Sequence, residues 1–173
     1  MGNEMDSCRV LINALALFSA QTAMADQKIS GFGDFTFGTT FNAVDEKLTL
    51  TEETSNNPSL EVFGAEEMTS VAGEDYTLTF AFKNKELVQI NLFRDYDASA
   101  ISCTADTERV FGAVQARYGA ADAPLDKSDP MSMSARFTDA AGATITVLGA
   151  SFGAIEKCII SVAYQDNLDG NTF

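Results

Sequence analysis

The sequence predicts an α+β fold, an antiparallel sheet of six to seven strands with two helices packed on one face. Three observations carry this. Apolar and polar residues alternate with period two in several short segments, most clearly Thr77 to Phe82 and Glu86 to Phe93. One longer segment, Thr104 to Tyr118, has helical period instead. Tight, polar connections separate the strands, and hairpin-spaced strands pair antiparallel, which leaves the two helices to gather on one side.

Taken in order, Phe32, Phe35, Phe37 and Phe41 crowd the first segment and Gly31, Gly33 and Gly38 punctuate it, so a short strand turns into a helix over Thr40 to Leu48. Phe41, Val44 and Leu48 lie on one face of that helix. Thr49 to Pro58 is polar and reads as a loop. Strands are expected at Ser59 to Ala65, Thr77 to Phe82 and Glu86 to Phe93, the last two joined by a tight turn at Lys83-Asn84-Lys85. Asp95 to Ser102 leads into the second helix, Thr104 to Tyr118, with Thr104 as its cap, Asp106 and Glu108 in its first turn and Gly119 after its end. Its apolar stripe is Val110, Phe111, Val114 and Tyr118. Gly119 to Pro130 reads as a loop, followed by strands at Met131 to Phe137, Ala143 to Leu148 and Lys157 to Tyr164 and a frayed tail from Gln165. Helix plus three strands thus occurs twice. This suggests an internal duplication at the level of layout, although the two halves do not align residue by residue.

The Phe-rich strand, the Phe37-Gly38 turn, the meanders and the helix ending in Arg117-Tyr118-Gly119 resemble the small exported α+β domains of the β-lactamase-inhibitor-protein-like type, a group that includes small outer-membrane-assembly lipoproteins. The resemblance implies protein binding across a sheet face, with no catalysis. The lipid-modified cysteine of the lipoproteins has no counterpart here.

Compartment follows from the N-terminus. Val10 to Ala20 is an apolar run too short to span a bilayer core, and Ala23-Met24-Ala25 forms an A-x-A signal-peptidase site before Asp26. Residues 1–25 are therefore expected to be a cleaved signal peptide and 26–173 a single exported domain, periplasmic or secreted. Glu4 and Asp6 against Arg9 make a poor n-region, and a start at Met5 would improve it. Cys8 precedes the apolar run and Asp6 replaces the hydroxyl that myristoylation requires, so neither lipid anchor fits. Removing 25 of the 173 residues leaves 148, enough for one core. Cys8 departs with the leader. Cys103 and Cys158 remain, and an even pair in an oxidising compartment reads as a disulfide, the alternative being two buried thiols.

Loss of Glu4, Asp6 and Arg9 takes the formal charge from -14 to -13. The acids are spread along the chain without clustered Lys or Arg, which argues against a nucleic-acid or anionic-membrane surface. Histidine is absent, which removes histidine-based nucleophile systems and the commonest transition-metal ligand. The cysteines form no C-x-x-C, and no glycine-rich segment completes a phosphate loop. No catalytic, cofactor or metal set is expected. The acid pairs Asp95 with Asp97 and Glu66 with Glu67 are the material for a carboxylate-based hydrolase, the third reading. Asp166 to Asn171 resembles part of a calcium loop but lacks the closing glutamate. The thirteen phenylalanines are core formers, or line a lipid or ligand pocket in the second reading. The first reading is a non-enzymatic domain that binds another protein, a basic one if the net charge steers it.

Overall fold

The computed structural model describes residues 27–129 and 131–167. A two-stranded hairpin, β1 (Gly31–Phe32) and β2 (Phe35–Thr36), precedes the one-turn helix α1 (Phe41–Asp45). Then come β3 (Leu50–Glu53), β4 (Glu61–Val71), β5 (Glu74–Lys83) and β6 (Glu86–Asp97). The long helix α2 (Ala100–Tyr118) leads to β7 (Asp126–Asp129), β8 (Ser132–Thr138), β9 (Thr144–Phe152) and β10 (Lys157–Gln165), with a 3-10 turn, Gly153–Ile155, between the last two.

The main sheet has eight strands in the order β3-β4-β5-β6-β10-β9-β8-β7, all antiparallel. Two four-stranded meanders, each preceded by a helix, meet at the β6–β10 pair. The strand count exceeds the six to seven expected because β3 and β7 lie in stretches that read as loops. Both are edge strands whose side chains are almost all exposed, so no alternation marks them. Pairing alone defines them: Glu52 opposes Phe63 and Asp126 opposes Ser134. The first predicted strand is not in the main sheet at all. It forms the β1–β2 hairpin, where Gly31 is obligatory: φ is +137°, and a Cβ there would sit 2.0 Å from the Phe35 carbonyl oxygen.

The registers assign the two faces. Cys158, Ile160, Val162 and Tyr164 on β10 oppose Tyr96, Arg94, Leu92 and Ile90 on β6, and all face inward. Phe80 and Phe82 on β5 and Ile145 and Val147 on β9 share that face and are fully buried. Both helices and the hairpin cover it. Phe41 of α1 packs on Phe63 and Phe82 with ring centroids 4.6 and 5.5 Å apart, Phe35 on Phe80 at 5.1 Å, and Phe111 of α2 on Phe137 at 5.7 Å.

Helix boundaries differ from expectation. The first helix is one turn and not two: it starts where expected but stops at Asp45, with Glu46 and Lys47 tightening into a turn in which the Lys47 N–H donates to the Val44 carbonyl at 2.9 Å. The second begins at Ala100, with Ser99 as its cap: the Ser99 Oγ accepts the Ser102 N–H at 3.3 Å. Thr104 is not the cap. It lies inside the helix, its hydroxyl donating to the Ala100 carbonyl at 3.0 Å, and Asp106 and Glu108 therefore fall beyond the first turn. The extra turn carries Cys103, and the buried stripe runs Cys103, Thr107, Val110, Val114, Tyr118. Beyond β10, the Asp166 N–H donates to the Val88 carbonyl and the Asn167 amide to the Ala141 carbonyl at 2.7 Å. The signal segment and most of the calcium-like tail lie outside the described residues.

Candidate functional site

The opposite face of the sheet carries neither helix. Each inward residue of a strand is followed by an outward one, so β6 presents Gln89, Asn91, Phe93, Asp95 and Asp97, β10 presents Lys157, Ile159 and Ser161, and β9 presents Thr146, Leu148, Ala150 and Phe152. The register places Phe93, Ser161 and Leu148 in one cross-strand row, Asp95, Ile159 and Ala150 in the next, and Asp97, Lys157 and Phe152 in the third. Phe93, Leu148 and Phe152 remain 40%, 38% and 41% exposed, although large apolar side chains on strands are usually turned inward. With strands about 4.8 Å apart and alternate residues about 7 Å apart, these nine positions span roughly 10 by 14 Å, apolar along β9 and at Phe93 and Ile159, charged at the ends of β6 and β10.

Polar groups border the apolar positions on both sides. Toward one end the Gln89 amide donates to Asn91 Oδ1 at 2.9 Å, and the Asn91 amide donates to Thr79 Oγ1 at 3.3 Å. Toward the other, Lys157 Nζ reaches Asp97 at 2.8 Å and Asp95 at 3.6 Å. The hydrogen bond to Asp97 and the charges of both aspartates raise the lysine's affinity for its proton.

A second charged cluster sits on the covered face, between α2 and the β4–β5 hairpin. Glu74 pairs with Arg94 at 2.7 Å and with Arg109 at 3.2 Å, and Arg109 also holds Asp106 at 2.7 Å. The Tyr96 hydroxyl donates to Asp106 while the Arg94 guanidinium stacks 3.9 Å over the Tyr96 ring. Burial and then the bond to Asp106 push the Tyr96 phenol well above its ordinary range, and burial does the same to Tyr76, Tyr118 and Tyr164. Two cations and two anions balance here, so the cluster ties α2 to the sheet and presents no net charge to a ligand.

Cys103 in α2 and Cys158 in β10 sit at disulfide distance, their Cα atoms 5.5 Å apart and both residues fully buried. The phenylalanines of the covered face contact one another. Phe41, Phe63 and Phe82 form a triangle with ring centroids within 5.8 Å, so these rings fill the space between α1 and the sheet. A cleft of about 400 Å³ beside the β3–β4 connection is lined by Glu52, Glu53, Ser55, Asn57 and Glu61, and smaller hollows lie beside α1 and near Met131. No phenylalanine lines these three. Of the acid pairs, Asp95 and Asp97 share the open face with Lys157 between them, while Glu66 and Glu67 fall in the β4 irregularity, where Glu67 accepts the Thr49 N–H. Among the described residues, no group of three or more acids and cysteines is placed to hold a metal ion.

The residues of the apolar patch did not stand out as a site in the sequence. A signal for them exists nonetheless: Phe93 after Leu92, Leu148 after Val147 and Ile159 beside Ile160 each put an apolar side chain at the out-of-phase position of an alternating strand. Compared with family models, curated proteins and solved structures, the chain matches none.

Proposed function

We propose that this chain is an exported, non-enzymatic protein that binds another protein across the uncovered face of its sheet, in the periplasm or outside the cell. The observation that carries this reading is the apolar patch of Phe93, Leu148 and Phe152 on a face that no part of the described chain covers. A sheet face of this kind offers a firm platform, since every strand beneath it is paired on both sides in β5, β6, β10, β9 and β8. The layout resemblance to β-lactamase-inhibitor-protein-like domains implies the same mode of use. Export rests on the short apolar run and the Ala23/Ala25 site, and absence of catalysis on the missing histidine and the exposed, lysine-bridged setting of Asp95 and Asp97. The contacting phenylalanine rings support a packing role for them over the lining of a lipid pocket. The two meanders, each with its helix, are read as copies of one ancestral unit, on the strength of the matching order about the β6–β10 pair.

The test is site-specific photocrosslinking in the native envelope. A crosslinker at Leu148 should capture a discrete partner, whereas one at Gln115, on the exposed side of α2, should not. Equal capture from both positions, or none from Leu148, would refute binding at this face. If the net charge of -13 left after processing steers the encounter, added salt should slow association far more than it speeds dissociation.

A further inference from the structure

We propose that the partner segment seated on this face is basic as well as apolar: a large apolar side chain rests over Phe93, Leu148 and Ile159, and an arginine or lysine one or two residues away joins Asp95 and Asp97. This rests on the protein-binding reading and adds the chemistry of the partner.

Among the described residues, seven large apolar side chains are exposed, and four of them, Met68, Phe93, Leu148 and Phe152, stand on the open face, Met68 joining the row of Phe93 and Leu148 through Thr77. Ile155 is 68% exposed in the turn that follows Phe152, and Ile101 is 84% exposed in the first turn of α2, which the Ala98 N–H, bound to the Glu156 carbonyl, and the Cys103–Cys158 pair bring to the Phe152 end of the sheet. Met131, whose carbonyl accepts the Ser151 N–H, is exposed on the helix side of the sheet, beside a hollow that Thr104 of α2 also lines. On the open face, exposed apolar side chains therefore adjoin the aspartates: Phe93 precedes Asp95 by two residues and Phe152 shares the row of Asp97.

The charge balance then selects the partner. Asp95 and Asp97 share one ammonium, that of Lys157, so one negative charge is left over. In open water this costs little, since the three side chains are 47%, 85% and 40% exposed. A partner that covers the neighbouring Phe93 and Ile159 also removes water from Asp95, and a desolvated surplus charge is costly unless it is paired. A neutral apolar partner leaves it unpaired and an acidic one adds to it. A second copy stacked face to face about a two-fold axis brings its own surplus. A basic partner compensates it, and the net negative field of the chain attracts such a partner from a distance. Lys157 occupies the place of the incoming cation and competes with it.

The probe is a set of peptides selected from a random phage-displayed library against the purified chain, then synthesised with their Arg and Lys residues intact or replaced by glutamine, and titrated calorimetrically. Selected peptides should carry a cation within two residues of a large apolar residue, and the glutamine versions should bind at least about tenfold more weakly. Asp95→Asn/Asp97→Asn should weaken the basic peptides similarly and leave the glutamine versions unchanged. Lys157→Gln should tighten the basic peptides several-fold, a gain that damage to the fold cannot produce. Leu148→Ser should abolish binding of both forms, with Phe93→Thr as the second variant should the first melt early. Neutral peptides that depend on Leu148 but ignore the Asp95→Asn/Asp97→Asn change would overturn the basic-partner proposal while leaving the face as a protein-binding surface. Binding that survives both Leu148→Ser and Phe93→Thr would overturn the site itself. A concentration-dependent dimer dispersed by Leu148→Ser would put a second copy there and overturn the proposal as well.

Discussion

Replacing Gly149 by alanine probes how closely α2 is seated on the sheet. Gly149 lies on the covered face of β9, opposite Ile160, and Thr107 of α2 stands directly over it. A Cβ added at Gly149 would lie 2.0 Å from Thr107 Oγ1, 2.6 Å from Cγ2 and 2.8 Å from Cβ. The threonine cannot swing aside freely: it is fully buried, its hydroxyl donates to the Cys103 carbonyl at 2.8 Å, and the helix is held one turn earlier by the Cys103–Cys158 pair. Overpacking of this kind costs about 1–3 kcal/mol, while the loss of glycine's freedom in the unfolded chain returns about 0.4–1 kcal/mol. A net destabilisation of about 1–2 kcal/mol follows, or roughly 2–8 °C in Tm for a domain of this size. The assay is urea unfolding of Gly149→Ala, Thr107→Ala and the double variant. Because the alanine at 107 removes the two closest atoms, the double variant should be more stable than the sum of the singles predicts by about 1 kcal/mol. Gly112→Ala is the control, since that glycine is in an exposed part of α2 with nothing within 4 Å of an added Cβ. It should stabilise the protein by about 0.5–1 kcal/mol. A neutral Gly149→Ala, or strict additivity with Thr107→Ala, would refute the close approach of helix and strand.

Three further outcomes are expected. Cys103→Ser/Cys158→Ser removes a link across a sequence separation of 55 and should lower stability by up to roughly 4 kcal/mol; an unchanged Tm would deny the pair any energetic role. The exported protein should begin Asp-Gln-Lys-Ile, read by N-terminal sequencing, and an intact apolar leader on cytosolic protein would exclude processing after Ala25. The phenols of Tyr76, Tyr96, Tyr118 and Tyr164 are raised above the unfolded value near 10, so their contribution is complete below that pH and is lost as pH rises through the higher folded values. Urea midpoints should therefore hold steady to about pH 9 and fall above pH 10, less steeply in Tyr96→Phe.

Those expectations divide by what each depends on. The sequence determined the elements whose side chains must choose between core and water: the alternation of Leu78, Phe80 and Phe82 and of Val88, Ile90 and Leu92, and the stripe of Val110, Val114 and Tyr118, each mark a surface that is buried in any fold this chain could adopt. It also limited the chemistry to systems that work without histidine, since the chain has none. Tertiary structure alone decided the edges and the open face. The strands β3 and β7 exist because a neighbour's backbone offers hydrogen bonds to polar residues that have no preference of their own. Ser99 and Thr104 are both good cap residues by type, and the choice of Ser99 accompanies an extra turn whose Cys103 meets β10, a contact the local sequence does not show. The union of Phe93, Leu148 and Ile159 beside Asp95 and Asp97 arises only when β6, β10 and β9 lie side by side, since a single strand shows that a residue is out of phase but not what stands next to it. Alternation is a property of one strand, whereas a binding surface is a property of their order.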